Sequence, residues 1–193
     1  MTHSDIYTKF MIEYDKDNIT SSYPSLTRYE IATTLDKAYL ALIAQKFTGN
    51  NPRGVRFEGD TKAIEDLSPL VKSEELVSFT MSSTATNEYV YSRPNDMLYY
   101  IIGSLKVNNS NTSTDGNNNV SDIVTLVSHD VANNFKATNT NLPWVKNSVA
   151  YLEGDSIKVL VDPIQNKSNK GLMDFTVTYI SKPNMFVTGP GRS

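Results

Sequence analysis

The chain has no cysteine and only two histidines among its 193 residues. The missing thiols exclude disulfides, thiolate nucleophiles and thiolate metal ligands together, so order must come from packing or from assembly. His3 and His129 are the only imidazoles, and no carboxylate stands from either at a metal-site interval. Long apolar runs are also lacking: the longest lies near residues 41–44, far below the roughly 20 residues of a membrane-spanning helix. No membrane partner is expected. Charge of one sign is scarce too. The net charge of −3 is spread along the chain, without the Lys/Arg clusters through which proteins displace counterions from duplex DNA. A mildly acidic wall suits DNA that passes without sticking.

What is present reads as one soluble globular chain. With 39% hydrophobic and 20% charged residues, a chain of this length buries about two thirds of its unfolded surface. Met1 to Lys9 shows no basic start followed by an apolar core and a cleavage site, so use without export is expected. Without export, the Asn-x-Ser/Thr triplets at Asn18, Asn108, Asn111, Asn119 and Asn166 carry no glycosylation meaning.

Residues 1–75 read as helical, a bundle or hairpin. Ile6, Phe10 and Tyr14 recur every four residues until Pro24 interrupts them. Thr27 with Glu30 has capping-box spacing, opening a second helix whose stripe is Ile31, Leu35, Ala38 and Leu42, widened by Tyr39 and Ile43. Gly49 to Pro52 stops it. A short third helix spans about 61–67, capped by Asp60, with Ala63, Ile64 and Leu67 on its apolar side.

From residue 76 to 183 the period turns to two. Leu76–Met81, Glu88–Ser92, Met97–Val107, Val120–Ser128 and Leu172–Ile180 read as strands. Val149 and Tyr151 are joined to Ile157, Val159 and Val161 by a Gly154 turn, which predicts a half-buried hairpin. A short helix opens at Ser128-His129 and ends near Phe135. The Asn-rich stretch 108–119 reads as a mobile hairpin tip. The fold class is therefore α+β, a helical amino-terminal part followed by an antiparallel β-sandwich-like domain.

No catalytic, cofactor or metal site is expected. His129 reads as a helix-start or interface residue. Asp15 and Asp17 open an EF-hand-like spacing, but Ile19 and Thr20 stand where an oxygen ligand and the turn glycine belong. Gly189-Pro190-Gly191 lacks the strand and helix of a phosphate loop. The carboxylates are scattered, so a glycosidase pair or a hydrolase site needs folding alone to assemble it. The 11 tyrosines suit core and subunit interfaces, with base or glycan stacking as the sharper alternative. Trp144, the lone tryptophan, reads as an anchor on the sheet or a subunit contact. Met185, Phe186 and Val187 stand in a flexible carboxy-terminal arm, 184–193, read as an assembly segment ordered against a neighbour.

Several short motifs resemble the neck and tail ring proteins of short-tailed, crAss-like bacteriophages. They are Pro143-Trp144-Val145-Lys146, Tyr151-Leu152-Glu153-Gly154, Val161-Asp162-Pro163, Thr176 to Pro183, and Arg93 to Tyr100. The resemblance implies a non-enzymatic head-to-tail adaptor of the virion: a dodecameric ring below the portal, stacked against other neck and tail rings and lining the DNA channel. It implies assembly in the host cytoplasm. The alternative reading is a fibre or baseplate module that touches host surface glycan.

Overall fold

A computed structural model of the chain describes residues 3–16, 26–49, 57–59, 61–76, 79–81, 88–108, 119–137, 148–161 and 173–186. The chain forms two compact units, residues 1–69 with 183–193 and residues 70–182. It follows the α+β order expected, helices first and strands after.

In the first unit, α1 is His3–Lys16, α2 is Arg28–Thr48 and α3 is Thr61–Leu67. The capping box at Thr27 is complete: Glu30 N–H donates to the Thr27 hydroxyl at 3.3 Å, and Thr27 N–H donates to the Glu30 carboxylate at 2.8 Å. Both bonds satisfy amides that the first helical turn leaves open. Gly49 ends α2 at φ 78°, a left-handed position that suits glycine. The predicted stripe of α2 is rotated. Ile31, Asp36 and Ile43 are buried, while Leu42 is 47% exposed. Apolar residues surround α2 at 38–44, so its period alone does not choose a packing side. Likewise α3 buries Ala63 and Leu67 and leaves Ile64 exposed. The Phe47 and Phe57 rings stack 5.9 Å apart, and Lys46 pairs with Asp66 to tie α2 to α3. Asp60, the expected cap of α3, lies outside the described residues, as do 109–118 of the Asn-rich stretch.

The second unit holds β1 (Val71–Leu76), β2 (Phe79–Met81), β3 (Glu88–Ser92), β4 (Met97–Asn108), β5 (Asn119–Leu126), α4 (His129–Ala137), β6 (Val149–Glu153), β7 (Ser156–Leu160) and β8 (Met173–Ser181). The strand expected at Leu76–Met81 is thus two, and the β part starts at Val71 instead of 76. Sequence pattern misses β1 because Lys72, Ser73, Glu74 and Glu75 are all exposed, so pairing with β8 makes the strand where no alternation announces it.

The sandwich-like part is one eight-stranded sheet in the order β1-β8-β4-β5-β6-β7-β3-β2. Every pairing is antiparallel except β5 with β6, where α4 makes the crossover that parallel neighbours need. The sheet curls strongly. Its two edge strands are consecutive in the chain, and the three Cα steps from Leu76 to Phe79 reach at most about 11 Å. Covalent geometry therefore brings the edges together. The ring contact between Tyr91 of β3 and Phe175 of β8, 5.0 Å between centroids, bridges the same seam; across a flat sheet, strands five places apart stand about 24 Å from each other.

The curl encloses Tyr89, Tyr91, Leu105, Val124, Ile157, Val159, Phe175, Val177 and Tyr179. Register shifts in β4 between Met97/Tyr99 and Tyr100/Ile102 change which parity points inward, so Met97, Tyr100, Gly103 and Leu105 all face the core. Gly103 is required by space: a Cβ there would stand 2.3 Å from the Tyr100 hydroxyl and 2.6 Å from the Phe175 ring. That hydroxyl donates to the Val124 carbonyl at 2.8 Å. At the β6–β7 turn Gly154 has φ 58°, the positive value a two-residue hairpin loop needs.

Candidate functional site

The predicted β6–β7 hairpin is buried on both faces, and its outer face carries a polar cluster. The pairs Tyr151↔Lys158, Val90↔Lys158 and Glu88↔Leu160 place Glu88, Tyr151 and Lys158 on the side away from the curled core. There Val149, Tyr151 and Leu160 pack with Ala132 of α4, and Val127 and Phe135 close the margin. His129 and Lys136 stand seven residues apart on α4, two turns along one face. The His129 ring meets Tyr151 edge-on at 5.4 Å. It is the first residue of its helix, where the sequence places it.

Glu88 is only 3% exposed, with Lys136 Nζ at 2.6 Å and Lys158 Nζ at 3.7 Å. Lys158 also donates to Glu153 at 2.6 Å. Lys136 donates to the Tyr151 hydroxyl and stands 4.6 Å from the centre of that ring. Two lysines and two glutamates thus cancel around one phenol. A carboxylate this buried is tolerable only because charged donors replace its water.

Burial by itself lowers the Lys136 ammonium, but hydrogen bonds to Glu88 and Tyr151 outweigh it and hold its pKa above the ordinary lysine value. The bond to Glu153 raises Lys158 against a smaller effect of burial. Burial raises the Tyr151 phenol. At neutral pH both ammonium groups stay charged and the phenol stays protonated. Chemically the arrangement is an electrostatic clasp between α4 and β3, β6 and β7.

A smaller cluster joins β1, β8 and the turn before β4. Tyr179 Oη lies 2.9 Å from Asp96 and 3.1 Å from Glu74, and Lys72 pairs with Asp96 at 2.5 Å. Burial first, and then these carboxylates, push the Tyr179 phenol well up. The Lys72 hydrogen bond holds Asp96 below the usual carboxylate range. Beside it, Arg93, Asn95, Met97, Asp155 and Lys182 line a groove of about 220 Å³. Arg93 is occupied within it, its guanidinium donating to the Met97 carbonyl at 2.8 Å.

Of the residues singled out for assembly, Trp144 and Val187 lie outside the described residues. Met185 and Phe186 are half-buried. The arm expected to be flexible alone is, over its described part, seated in the first unit. Pro183 is buried, and Phe186 N–H donates to Asp36 at 2.7 Å. Phe186 then lines a cavity of about 270 Å³ with Ser4, Tyr7, Arg28, Ile31, Ala32 and Leu35. The Arg28 guanidinium stands 5.2 Å over the Tyr7 ring. The physical reason is a buried acceptor: Asp36 is 9% exposed, and an N–H from the returning chain helps replace its water.

Sequence reasoning missed the Glu88 clasp. Glu88 stands 48 positions from Lys136 and 70 from Lys158, so only the strand order assembles the group. One signal was present: a carboxylate opening the run Tyr-Val-Tyr, where burial is the rule. The tyrosines Tyr89, Tyr91, Tyr100, Tyr151 and Tyr179 are buried, so packing accounts for much of the aromatic content. Among the described residues no three His, Asp or Glu side chains converge to hold a metal ion. No helix among them is long and apolar enough to cross a membrane.

No protein-family profile matches this chain. No curated protein sequence matches it either.

Proposed function

We propose that the chain is a non-enzymatic subunit of a ring in the neck or tail of a short-tailed phage, below the portal. The observation that carries the assembly part is the outer face of β8, β4 and β5. Ile102 is 43% and Ile123 61% exposed. The register places Ser104 opposite Ile123 and Thr178 opposite Ile102. A stretch of sheet that is apolar or hydroxylated, with no charge at its centre, has the composition of a subunit contact. The Glu88 clasp supports the same reading, because its charged groups are held as a rigid strut. The phage context rests on the motif resemblance: dodecameric ring, adjacent ring proteins, DNA channel and virion location are all parts of that proposal.

Mass photometry with negative-stain imaging, on the purified chain alone and then mixed with the portal protein of the same genome, tests it. Rings in either sample, with twelvefold symmetry, are the expected outcome. A monomer in both, with no portal association, overturns the reading, and a glycan array then tests the fibre-module alternative.

A further inference from the structure

The chain changes unit abruptly after β8. Lys182 N–H still donates to the Asp96 carbonyl at 2.6 Å, so the second unit holds the backbone up to that residue. Four residues later, Phe186 is bonded to Asp36 of α2. The link between them has no regular structure. Its far end lines a half-open cleft of about 270 Å³, where the Phe186 ring is only half-buried and so lacks part of the dispersion contact that a closed seat supplies. The arm is specific in its hydrogen bond and loose in its fit.

We propose that Pro183–Phe186 is an exchangeable arm, seated in its own helical unit in the free chain and in the helical unit of a second copy in the assembly. This rests on the ring reading and adds how neighbouring copies join. Exchange keeps every contact of Phe186 and changes only which chain supplies it, which makes it a low-cost route to association. It is also directional. Each copy gives an arm through one surface and receives one through another, and such heterologous contacts propagate head to tail until they close. The reach is short: four Cα steps from Lys182 span at most about 15 Å. The donor's β unit must therefore lie against the acceptor's helices, a requirement that the proposal places on neighbours within one ring.

The absence of native cysteine makes the test clean. A double variant, Lys37→Cys with Asn184→Cys, carries the only two thiols of the chain. Both positions are exposed, one next to Asp36 and one within the arm. A short bismaleimide is applied to the free chain and to the portal-mixed assembly, with mass photometry run in parallel. The expected result is an intrachain product from the free chain and an interchain ladder from the rings. Rings that yield only the intrachain product overturn the exchange and leave the ring reading standing. A chain that never assembles and yields only the intrachain product overturns both. Phe186→Ala adds a second readout: ring formation is expected to fall at least tenfold while the β unit melts as before, and undiminished rings count against the arm.

Discussion

Phe175 in the β unit is fully enclosed, with the Tyr91 ring tilted against it and Gly103 cleared to admit it. Phe186 in the helical unit is half-buried on the wall of a cavity. The same side chain is a keystone in one place and a loosely held anchor in the other. Of the eleven largest fully buried side chains among the described residues, only Ile31 and Ile43 belong to the helical unit. The β unit is thus a closed core whose parts depend on one another. The helical unit, among the described residues, has helices whose contacts include the Thr27 cap, the Lys46–Asp66 pair and the Phe47–Phe57 stack. The exchange proposed above would use this contrast, with the β half staying rigid while the helical half changes partners.

The sharpest way to break this contrast is Phe175→Ala. Removing a fully buried ring is expected to cost about 4 kcal/mol, read as a drop in the urea midpoint at unchanged slope. Hydrogen-exchange protection should collapse in β4 and β8 and persist in α2. Uniform loss across both units would show that the two are one cooperative body.

Gly103→Ala tests the same core by overfilling it. The added methyl meets Tyr100 and Phe175 well inside contact distance, and a cost of about 2–3 kcal/mol is expected. A neutral effect would mean that the curl can widen. Replacing Glu88 by Ala leaves Lys136 and Lys158 without their shared carboxylate. A loss of about 2 kcal/mol is expected, with exchange protection reduced first in α4, which the clasp holds down. An unaltered α4 would reduce the clasp to an ordinary surface pair.

Alkaline pH separates the units without mutation. Burial raises the phenols of Tyr89, Tyr91, Tyr100, Tyr151 and Tyr179. The unfolded chain therefore loses these protons at a lower pH than the folded chain. Stability is intact below about pH 10, the ordinary tyrosine value, and falls as pH rises through it. Tyrosinate absorbance should appear together with loss of sheet signal. Ionisation that precedes unfolding would show that water reaches the core. The smallest effect belongs to Thr27→Ala, which removes the cap hydroxyl of α2 at about 1 kcal/mol and should register in α2 while β8 stays unmoved.

The helices were legible because their signals are local. Thr27 and Glu30 are three residues apart, and their hydrogen bonds need nothing beyond the turn they open. Gly49 and Gly154 act through their own φ angles. The strands β3, β7 and β8 also follow their apolar period closely. Strand β1 did not, since its middle is four polar residues and its identity comes from a partner about 100 positions away. The inward side of β4 was hidden for a related reason: two bulges change its parity, and a bulge is a property of the pairing.

By itself, then, the sequence determined where the capped helix α2 starts and stops, which runs beyond β1 and β2 are strands, where the β6–β7 hairpin turns, and that no thiol chemistry is possible. Each of these depends on residues within a turn or two of one another. The tertiary structure alone decided the strand order, the curl that brings Tyr91 against Phe175, the rotation of α2, the gathering of Glu88 with Lys136 and Lys158, and the return of Phe186 to Asp36. The side-chain contacts among these join residues 48 to 150 positions apart, and the rotation of α2 selects one face of a helix that is apolar on several. Period and propensity do not extend across such distances, and the choice falls to which surfaces exclude water together and which buried charges find partners.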